Sequence, residues 1–337
     1  MAERLVDEYD AVLVDLDGTV YRGDHEIPGV ADTLRAVRAL AVHVRFVTNN
    51  ASRAPGAVAE QLVGLRISAE VAEVCTSAQA AAAMLADRLP PGAIVLVAGA
   101  PALADEINRV GLRVVAEASG QVDAVVQGLS RDIGWRELSE ACLAVRAGAL
   151  WVACNVDATL PTERGEVIGN GALVAAVRVA TGAEPLVAGK PNRPLLDQAA
   201  RSAGARRPLV VGDRLDTDIA GAATAEMDSL LVLTGVSTPA ELLGTTVPRP
   251  TFLAPDLGAL TAPAAQARVG PQPDWEITAD DGALRARWRG ARDPDPIALL
   301  RALVAVHPPN GTSPILKAED GTSADALAEL KLTDRLA

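Results

Sequence analysis

The chain has 337 residues, of which 49% are hydrophobic, and its formal net charge at pH 7 is −12. This length predicts two or three domains, and the negative charge argues against a surface that binds nucleic acids or anionic membranes. No apolar run reaches the length of a membrane span, and the acidic start MAERLVDEYD lacks an apolar signal region, so we expect no membrane insertion.

The three cysteines, Cys75, Cys142 and Cys154, are scattered along the chain and show no CxxC spacing. They predict small buried residues in a reducing cytosol, and they argue against a disulfide set, a zinc site or a cysteine nucleophile. We therefore expect a cytoplasmic location.

The segment AVLVDLDGTVYRG, residues 11–23, begins with four apolar residues and continues into Asp15 and Asp17. A short apolar run that ends in turn residues predicts a buried parallel strand, and open α/β sheets bind ligands at the carboxyl ends of such strands. Two aspartates two positions apart share one face, and their charges repel unless a cation or a proton lies between them. A Mg²⁺ ion would satisfy both, whereas the alternative is a strand end followed by an Asx-type turn.

A predicted helix, VADTLRAVRAL, and a second predicted strand, VHVRFV, follow, and the strand ends at Thr48, Asn49 and Asn50. A hydroxyl group and amides at the tip of a parallel strand can bind a phosphate, although the same residue types also form plain turns. Residues 78–182 then carry their own alternation of strands and helices, which predicts an inserted domain. Its glycines do not complete GxGxxG and the chain has no P-loop, so a dinucleotide or P-loop site is disfavoured.

Two further polar signals follow the inserted segment. Lys190 lies between Gly189 and Pro191, and a lone lysine of this kind is often a solvated surface charge. The run RRPLVVGDRLDTDIAGA predicts a buried strand that leads into Asp213 and Asp218 near the start of a helix, where acidic residues can also serve as caps.

Taken in order, these four segments resemble the four motifs of the haloacid dehalogenase superfamily of phosphatases. VDLDGTVYRG is similar to the first motif, TNN to the second, GKP to the third and GDRLDTD to the fourth. TNN and GKP are typical of class IIA, the subgroup of 4-nitrophenyl, pyridoxal and phosphoglycolate phosphatases. The resemblance covers about residues 10–260. It implies an α/β fold with a Rossmann-like, doubly wound parallel sheet as the core, residues 1–77 and 183–262, and an α/β cap of the C2 type, residues 78–182.

The resemblance also implies a reaction, the Mg²⁺-dependent hydrolysis of a small phosphorylated metabolite through an aspartyl-phosphate. Asp15 would be the nucleophile, and Asp17 would be the general acid and base. Mg²⁺ would be held by Asp15, the main-chain carbonyl of Asp17, and Asp213. Asp17 and Asp213 argue against a dehalogenase.

The remaining motif residues receive supporting roles from the same resemblance. Thr48, Asn49, Asn50 and Lys190 would bind the phosphate, with Lys190 also holding the nucleophile. Asp218 would lie behind these groups and orient the metal-bound water or Lys190.

Substrate choice is expected to fall to the cap, through Leu129, Asn155, Asp157 and Leu160. Pyridoxal phosphatases of the subgroup hold their ring with a Tyr and a His where this chain has Leu129 and Leu160, so a pyridoxal specialist is disfavoured. The sequence around the motifs resembles the bacterial glycerol-3-phosphate phosphatases, so glycerol 3-phosphate is the expected substrate. The alternatives are 2-phosphoglycolate, a nucleoside monophosphate, a broad 4-nitrophenyl phosphatase, and, from other classes, a phosphomutase or a non-catalytic phosphate sensor.

Residues 263–337 predict a linker and a small α+β appendage. TAPAAQARVGPQP is typical of a linker, WEITADDGALRARW predicts a hairpin around Asp280, Asp281 and Gly282, PIALLRALVAVH and SADALAELKL predict helices, and PILKAE predicts a strand. The longer glycerol-3-phosphate phosphatases of the subgroup carry a similar tail, which resembles part of an acetyltransferase fold. We expect a structural or regulatory role for the tail, and, because related caps dimerise, a homodimer through the cap.

Overall fold

The computed structural model describes residues 3–162, 164–280 and 283–332. The chain forms two compact units, Met1–Val44 with Ala205–Ala337, here called unit 1, and Arg45–Gly204, here called unit 2. The domain boundaries expected near residues 78, 182 and 262 differ from this division, and they stay a prediction. Among the described residues, no helix combines the length and the apolar character that crossing a bilayer requires.

Parallel strands and helices alternate along most of the chain, which is the predicted α/β fold with its Rossmann-like core. The strands are β1 (Ala11–Val14), β2 (Tyr21–Arg22), β3 (His25–Glu26), β4 (His43–Thr48), β5 (Val74–Thr76), β6 (Ile94–Ala98), β7 (Arg113–Val115), β8 (Ala124–Gln127), β9 (Leu150–Ala153), β10 (Thr159–Thr162), β11 (Gly165–Ile168), β12 (Leu186–Val187), β13 (Pro208–Gly212), β14 (Asp228–Val232), β15 (Phe252–Ala254), β16 (Trp275–Asp280), β17 (Ala283–Trp288) and β18 (Ile315–Ala318). The helices are α1 (Val30–Ala39), α2 (Pro55–Gly64), α3 (Ser77–Ala86), α4 (Pro101–Arg109), α5 (Trp135–Arg146), α6 (Asn170–Thr181), α7 (Arg193–Ala203), α8 (Ala220–Thr224), α9 (Pro239–Gly244), α10 (Pro296–Val306) and α11 (Gly321–Glu329).

In unit 1, the strands β15, β14, β13 and β1 lie side by side in that order and pair in parallel. All four residues of β1 are buried, as expected for an inner parallel strand with an unbroken apolar sequence. Val14 pairs with Val211, and the backbone N–H of Asp15 donates to the carbonyl oxygen of Val211 at 2.8 Å. The register therefore brings the residues that follow β1 and β13 to the same edge of the sheet.

The tail, residues 272–332, adds a small sheet to unit 1. Its strands β16 and β17 are antiparallel, and β18 pairs with β17 in parallel. The two strands of the predicted hairpin, the two predicted helices (α10 and α11) and the predicted strand (β18) are thus confirmed. The turn residues Asp281 and Gly282 lie outside the described residues.

The tail shares its hydrophobic core with the rest of unit 1 and is therefore packed against it. One buried cluster contains tail residues and core residues together: Trp275, Leu284, Leu299, Leu300, Leu303, Leu316 and Leu327 with Leu215, Ile219, Leu231, Leu242, Leu243 and Leu253. The buried guanidinium of Arg301 donates from Nε to the carbonyl oxygen of Leu253 at 2.8 Å. The predicted linker contains one short 3₁₀ turn, Ala264–Gln266, and both Ala264 and Ala267, the residue after the turn, are buried.

Unit 2 contains a pair of parallel strands, β4 and β5, and a separate sheet of five parallel strands in the order β12, β9, β8, β6, β7. Helices α5 and α6 cover one face of this sheet, where Val125 and Trp151 pack against Val145 and Val174. An antiparallel hairpin, β10 and β11, precedes α6 and was not predicted from the sequence. Four strands of this sheet, β6 to β9, lie within residues 78–182, the segment expected to be a cap, and its fifth strand, β12, follows just after that segment.

Candidate active site

Three carboxylates of unit 1 converge at the edge of the sheet where β1 and β13 end. Asp15, Asp213 and Asp218 each offer an oxygen atom, and these atoms lie within 4.8 Å of one another. Asp213 and Asp218 are buried, and Asp15 is half-buried. The Asp218 carboxylate lies in this cluster, and its predicted role as an orienting group behind the metal ligands stays a prediction.

The Asp213 carboxylate is held by two hydrogen bonds. Its Oδ1 accepts from the hydroxyl of Thr19 at 3.1 Å, and its Oδ2 accepts from the backbone N–H of Val236 at 2.7 Å. Burial and the nearby charge of Asp218 nevertheless raise the pKa of Asp213 to about 6, because these two donors offset only part of the cost of the buried negative charge.

Three glycines leave the space that the carboxylates occupy. A Cβ atom on Gly18, whose φ is +84°, would lie 2.5 Å from Oδ2 of Asp213, and one on Gly235 would lie 1.9 Å from the same atom. A Cβ atom on Gly212 would lie 2.2 Å from the Asp218 carboxyl carbon. Any side chain at these positions would displace a carboxylate.

These residues fit a bound Mg²⁺ ion. The donors are hard carboxylate oxygens, which Mg²⁺ prefers, and a cation would relieve the repulsion that raises the pKa of Asp213. The Asp17 side chain is exposed and does not join the carboxylate cluster, which agrees with a ligand role for its main-chain carbonyl alone. Asp216 points elsewhere, because its carboxylate pairs with Arg214 at 2.7 Å and is two-thirds exposed.

The second and third motifs lie together in unit 2. Lys190 is only 2% exposed, and its Nζ donates to the carbonyl oxygen of Val47, in β4, at 3.3 Å. Thr48, the last residue of the same strand, is buried, and its Oγ1 accepts from the backbone N–H of Asn50 at 3.1 Å. The lysine is therefore a buried, anchored group and not a solvated surface charge.

The Asn49 side chain connects three segments of unit 2. Its Oδ1 accepts from the backbone N–H of Lys190 at 2.8 Å, and its Nδ2 donates to the carbonyl oxygen of Lys190 at 3.0 Å. The same Nδ2 lies 3.2 Å from both carboxylate oxygens of Asp157. Gly189 permits this approach, because a Cβ atom there would lie 2.6 Å from Oδ1 of Asn49. The Asn49 side chain thus fixes the backbone of the lysine, which sequence reasoning did not foresee.

The other predicted binding residues of unit 2 also take part in local hydrogen bonds. Oδ1 of Asn50 accepts from the backbone N–H and the hydroxyl of Ser52 at 2.8 and 2.7 Å. Nδ2 of the buried Asn155 donates to the carbonyl oxygen of Asn49 at 2.7 Å. Leu129 and Leu160 are both half-buried. Their predicted contacts with the substrate, like the phosphate contacts of the motif residues, stay predictions.

The sequence analysis assigned no role to the loop after β14. In this loop, the backbone N–H of Val236 donates to the Asp213 carboxylate, and Gly235 lies against the same carboxylate. The hydroxyl of Thr234 donates to the carbonyl oxygen of Gly18 at 2.6 Å. The Thr-Gly-Val-Ser segment after a buried strand is the only sequence feature that could have indicated that this loop contacts the carboxylates.

Three family models match consecutive parts of the chain. A haloacid dehalogenase-like hydrolase model matches residues 12–113, and a second hydrolase model of the same type matches residues 187–260. A model of a GCN5-related N-acetyltransferase-like domain matches residues 272–332, which are the tail.

Known proteins resemble the chain over most of its length. It is 47% identical to D-glycerol 3-phosphate phosphatase of Mycobacterium tuberculosis, over 89% of this chain and 86% of that protein. It is 38% identical to a 5'-nucleotidase of Bacillus subtilis, over 68% of this chain and 89% of that protein. The crystal structure of a glycerol phosphate phosphatase from M. tuberculosis in complex with magnesium superposes with a TM-score of 0.93 and 45% identity, covering 98% of this chain and 100% of that one. The chain therefore belongs to the haloacid dehalogenase-like hydrolases.

Proposed function

We propose that this protein is a Mg²⁺-dependent phosphatase that hydrolyses glycerol 3-phosphate through an aspartyl-phosphate formed on Asp15. The observation that carries the proposal is the convergence of Asp15, Asp213 and Asp218, whose oxygens lie within 4.8 Å of one another. Carboxylates at such distances, two of them buried, repel unless a cation or a proton lies between them, and a metal ion beside a carboxylate nucleophile is a recurrent arrangement for phosphoryl transfer.

The two aspartates of the first motif would divide the covalent and acid–base chemistry. The Asp15 carboxylate attacks phosphorus, and the P–O bond to the leaving alcohol breaks as the new one forms. Asp17 gives its proton to the leaving oxygen and later takes one from the water that cleaves the aspartyl-phosphate. The exposed position of the Asp17 side chain suits a group that exchanges protons with solvent.

Asp15, Asp213 and the main-chain carbonyl of Asp17 would hold Mg²⁺, with Asp218 beside them. The ion, when bound, supplies positive charge that offsets the charge of the phosphoryl oxygens. Thr19 and Val236 keep the Asp213 carboxylate in place through their hydrogen bonds to Oδ1 and Oδ2.

Lys190 and Thr48 would neutralise and orient the phosphoryl group. The buried ammonium group donates to the carbonyl oxygen of Val47, and its positive charge also makes a phosphate oxygen a favourable partner through a charge-assisted hydrogen bond. Asn49 holds the lysine backbone at both its N–H and its carbonyl, which fixes the start of the side chain. Such preorganised charge lowers the barrier without further rearrangement.

Glycerol 3-phosphate is the preferred substrate because the likeness to the M. tuberculosis enzyme extends over most of the chain. That match covers 89% of this chain and so reaches into the tail, whereas the match to the 5'-nucleotidase covers only 68%. A nucleoside monophosphate is the second candidate, and the name of that B. subtilis relative is the observation that favours it. The chemistry proposed for the aspartates is the same for both substrates.

Phosphate release from glycerol 3-phosphate, 2-phosphoglycolate, pyridoxal 5'-phosphate, a nucleoside monophosphate and 4-nitrophenyl phosphate tests the proposal, with Mg²⁺ and with EDTA. We expect the highest kcat/KM for glycerol 3-phosphate and no turnover in EDTA. Asp15→Asn and Asp213→Asn should abolish turnover. Asp216→Asn is the matched control and should retain it, since Asp216 lies on the same segment but faces solvent.

The outcomes separate the candidates. A preference for the nucleoside monophosphate would replace the substrate and keep the mechanism. Conversion without release of inorganic phosphate would identify a phosphomutase, and binding without turnover would identify a phosphate sensor. Metal-independent turnover that survives Asp15→Asn would overturn the proposed mechanism.

We further propose that the chain consists of a hydrolase core in residues 1–77 and 183–262, a C2 cap in residues 78–182 and a tail with a structural role. We also propose that the protein is cytoplasmic and forms a homodimer. The free thiols of Cys75, Cys142 and Cys154 are compatible with a reducing compartment. Trp135, on α5 in the proposed cap, is 86% exposed, an unusual position for a tryptophan and a suitable one for an interface. Light scattering of the protein and of Trp135→Ser would test the dimer, and a monomeric wild-type protein would exclude it.

A further inference from the structure

The hydroxyl of Thr234 connects two loops that come from distant parts of the chain. It donates to the carbonyl oxygen of Gly18, in the loop after β1, at 2.6 Å. The carbonyl oxygen of Thr234 accepts a hydrogen bond from the guanidinium of Arg22, in the short hairpin formed by β2 and β3. Thr234 is thus bound on one side to the loop that carries Asp15 and Asp17 and on the other side to the hairpin that follows it.

Both backbone polar groups of Gly18, in that loop, are hydrogen-bonded. The N–H of Gly18 donates to the carbonyl oxygen of Tyr21 at 2.8 Å. Because the peptide bond is planar and trans, this bond also sets the direction of the Asp17 carbonyl, which points the opposite way. The carbonyl of Gly18 itself is set by Thr234, so both peptide planes around Gly18 are fixed.

The residues directly after Thr234 hold Asp213. The N–H of Val236 donates to Oδ2 of Asp213 at 2.7 Å, and the N–H of Ser237 donates to its main-chain carbonyl at 3.1 Å. Gly235 lies so close to the carboxylate that it admits no side chain. A displacement of Thr234 would therefore shift the Asp17 carbonyl and the Asp213 carboxylate relative to each other.

We propose that Thr234 is a positioning residue that fixes the distance between the Asp17 carbonyl and the Asp213 carboxylate and thereby sets the affinity for Mg²⁺. The inference rests on the proposed function, since it takes these two groups as ligands. Mg²⁺ demands near-ideal octahedral geometry with short metal–oxygen distances, so a small error in the spacing of two ligands weakens binding. Residues that orient metal ligands commonly change metal affinity by one order of magnitude or more when they are replaced.

Thr234→Val tests the inference, because valine keeps the branched shape and removes only the hydroxyl. Titration calorimetry of the EDTA-stripped protein with MgCl₂ measures binding without any need for turnover. We expect the Kd for Mg²⁺ to rise about three- to tenfold, as the loss of one part-buried hydrogen bond implies. Thr234→Ser restores the hydroxyl and should return the Kd to within about twofold of the wild type.

Thr261→Val is the matched control, because Thr261 also donates its hydroxyl to a glycine carbonyl, that of Gly258 at 3.1 Å, elsewhere in unit 1. Its Kd for Mg²⁺ should equal that of the wild type. Arg22→Met offers a second, exposed variant in case Thr234→Val does not fold, and its Kd should also rise.

The Mg²⁺ affinities of these variants separate a failure of the role of Thr234 from a failure of the proposed function. Unchanged Mg²⁺ binding in Thr234→Val, or in Arg22→Met if the first variant does not fold, would overturn the role of Thr234 and leave the proposed function intact. An equal rise in the Thr261→Val control, or no recovery in Thr234→Ser, would also overturn it. A wild-type protein that does not bind Mg²⁺ would overturn both proposals.

Discussion

The shared core of unit 1 predicts that the tail and the metal-binding region unfold together. Leu300 lies on α10, is fully buried, and belongs to the cluster that also contains Leu215 and Ile219 on the metal-binding segment. Leu300→Ala removes buried methyl and methylene groups and leaves a cavity among the same neighbours. Such replacements cost about 2–5 kcal/mol of the free energy of unfolding.

For a unit of this size, that loss lowers the Tm by about 4–20 °C. Calorimetric unfolding of the protein, with and without Mg²⁺, measures the shift. We expect one transition that contains the tail, is stabilised by Mg²⁺ and moves to lower temperature as a whole in Leu300→Ala. Leu143→Ala is the control, because that leucine is 57% exposed on α5 and its replacement should cost less than about 0.5 kcal/mol.

The reasoning would be refuted by a separate transition. If the tail were an independent domain, Leu300→Ala would shift only a small transition that does not respond to Mg²⁺. The transition that Mg²⁺ stabilises would then keep its wild-type midpoint, and phosphatase activity would survive after the tail had unfolded.

Three further predictions follow from the site. Gly235→Ala should reduce kcat at least about tenfold in a protein that remains folded by circular dichroism, because the new Cβ atom would collide with the Asp213 carboxylate. The raised pKa of Asp213, about 6, means that the folded, metal-free protein holds this proton more tightly than the unfolded chain does. That group should therefore lower the free energy of unfolding by about 2 kcal/mol as the pH rises from 4 to 7, a loss that urea titrations in EDTA would detect and that Mg²⁺ would reverse. Asn49→Ala should lower the free energy of unfolding by about 1–3 kcal/mol and raise the KM, because it frees the backbone of Lys190; equal KM values would contradict this.

The strands that carry the first and fourth motifs, β1 and β13, were predictable because each is a short, mostly buried apolar run. The proximity of Asp15 and Asp213 was implied by the resemblance to the haloacid dehalogenase superfamily, and in the structure the parallel pairing of β1 with β13 brings the residues that follow them to one edge. The position of Asp218 did not follow from the sequence, because an acidic residue at a helix start can cap the helix or lie beside the ligands. In the structure its carboxylate does both: Oδ2 accepts from the backbone N–H of Arg214 at 3.1 Å, and the carboxylate lies in the cluster with Asp15 and Asp213.

Other parts of the site could not be read from the sequence because their partners are far away along the chain. The hydroxyl of Thr234 binds a residue 216 positions earlier, and no local pattern records such a pair. The hairpin of β2 and β3 has only two residues in each strand, too few to show an alternation. The apolar face of α10 was predictable, but a hydrophobic pattern does not say which residues cover it, so the shared core with Leu215 was not foreseen.

The hydrogen bonds of Asn49 join residues that the ribosome synthesises at different times. Asn49 leaves the peptidyl-transferase centre 141 residues before Lys190, an interval of about 7–28 s at ordinary rates of synthesis. During that time the amide lacks the backbone that it holds in the finished protein. Asp15 lacks its partner for longer, because its backbone N–H donates to Val211, which is synthesised later than Lys190. We therefore expect the nascent chain to remain without a working site until about two-thirds of it has been made, so that premature termination products would be inert toward phosphorylated metabolites.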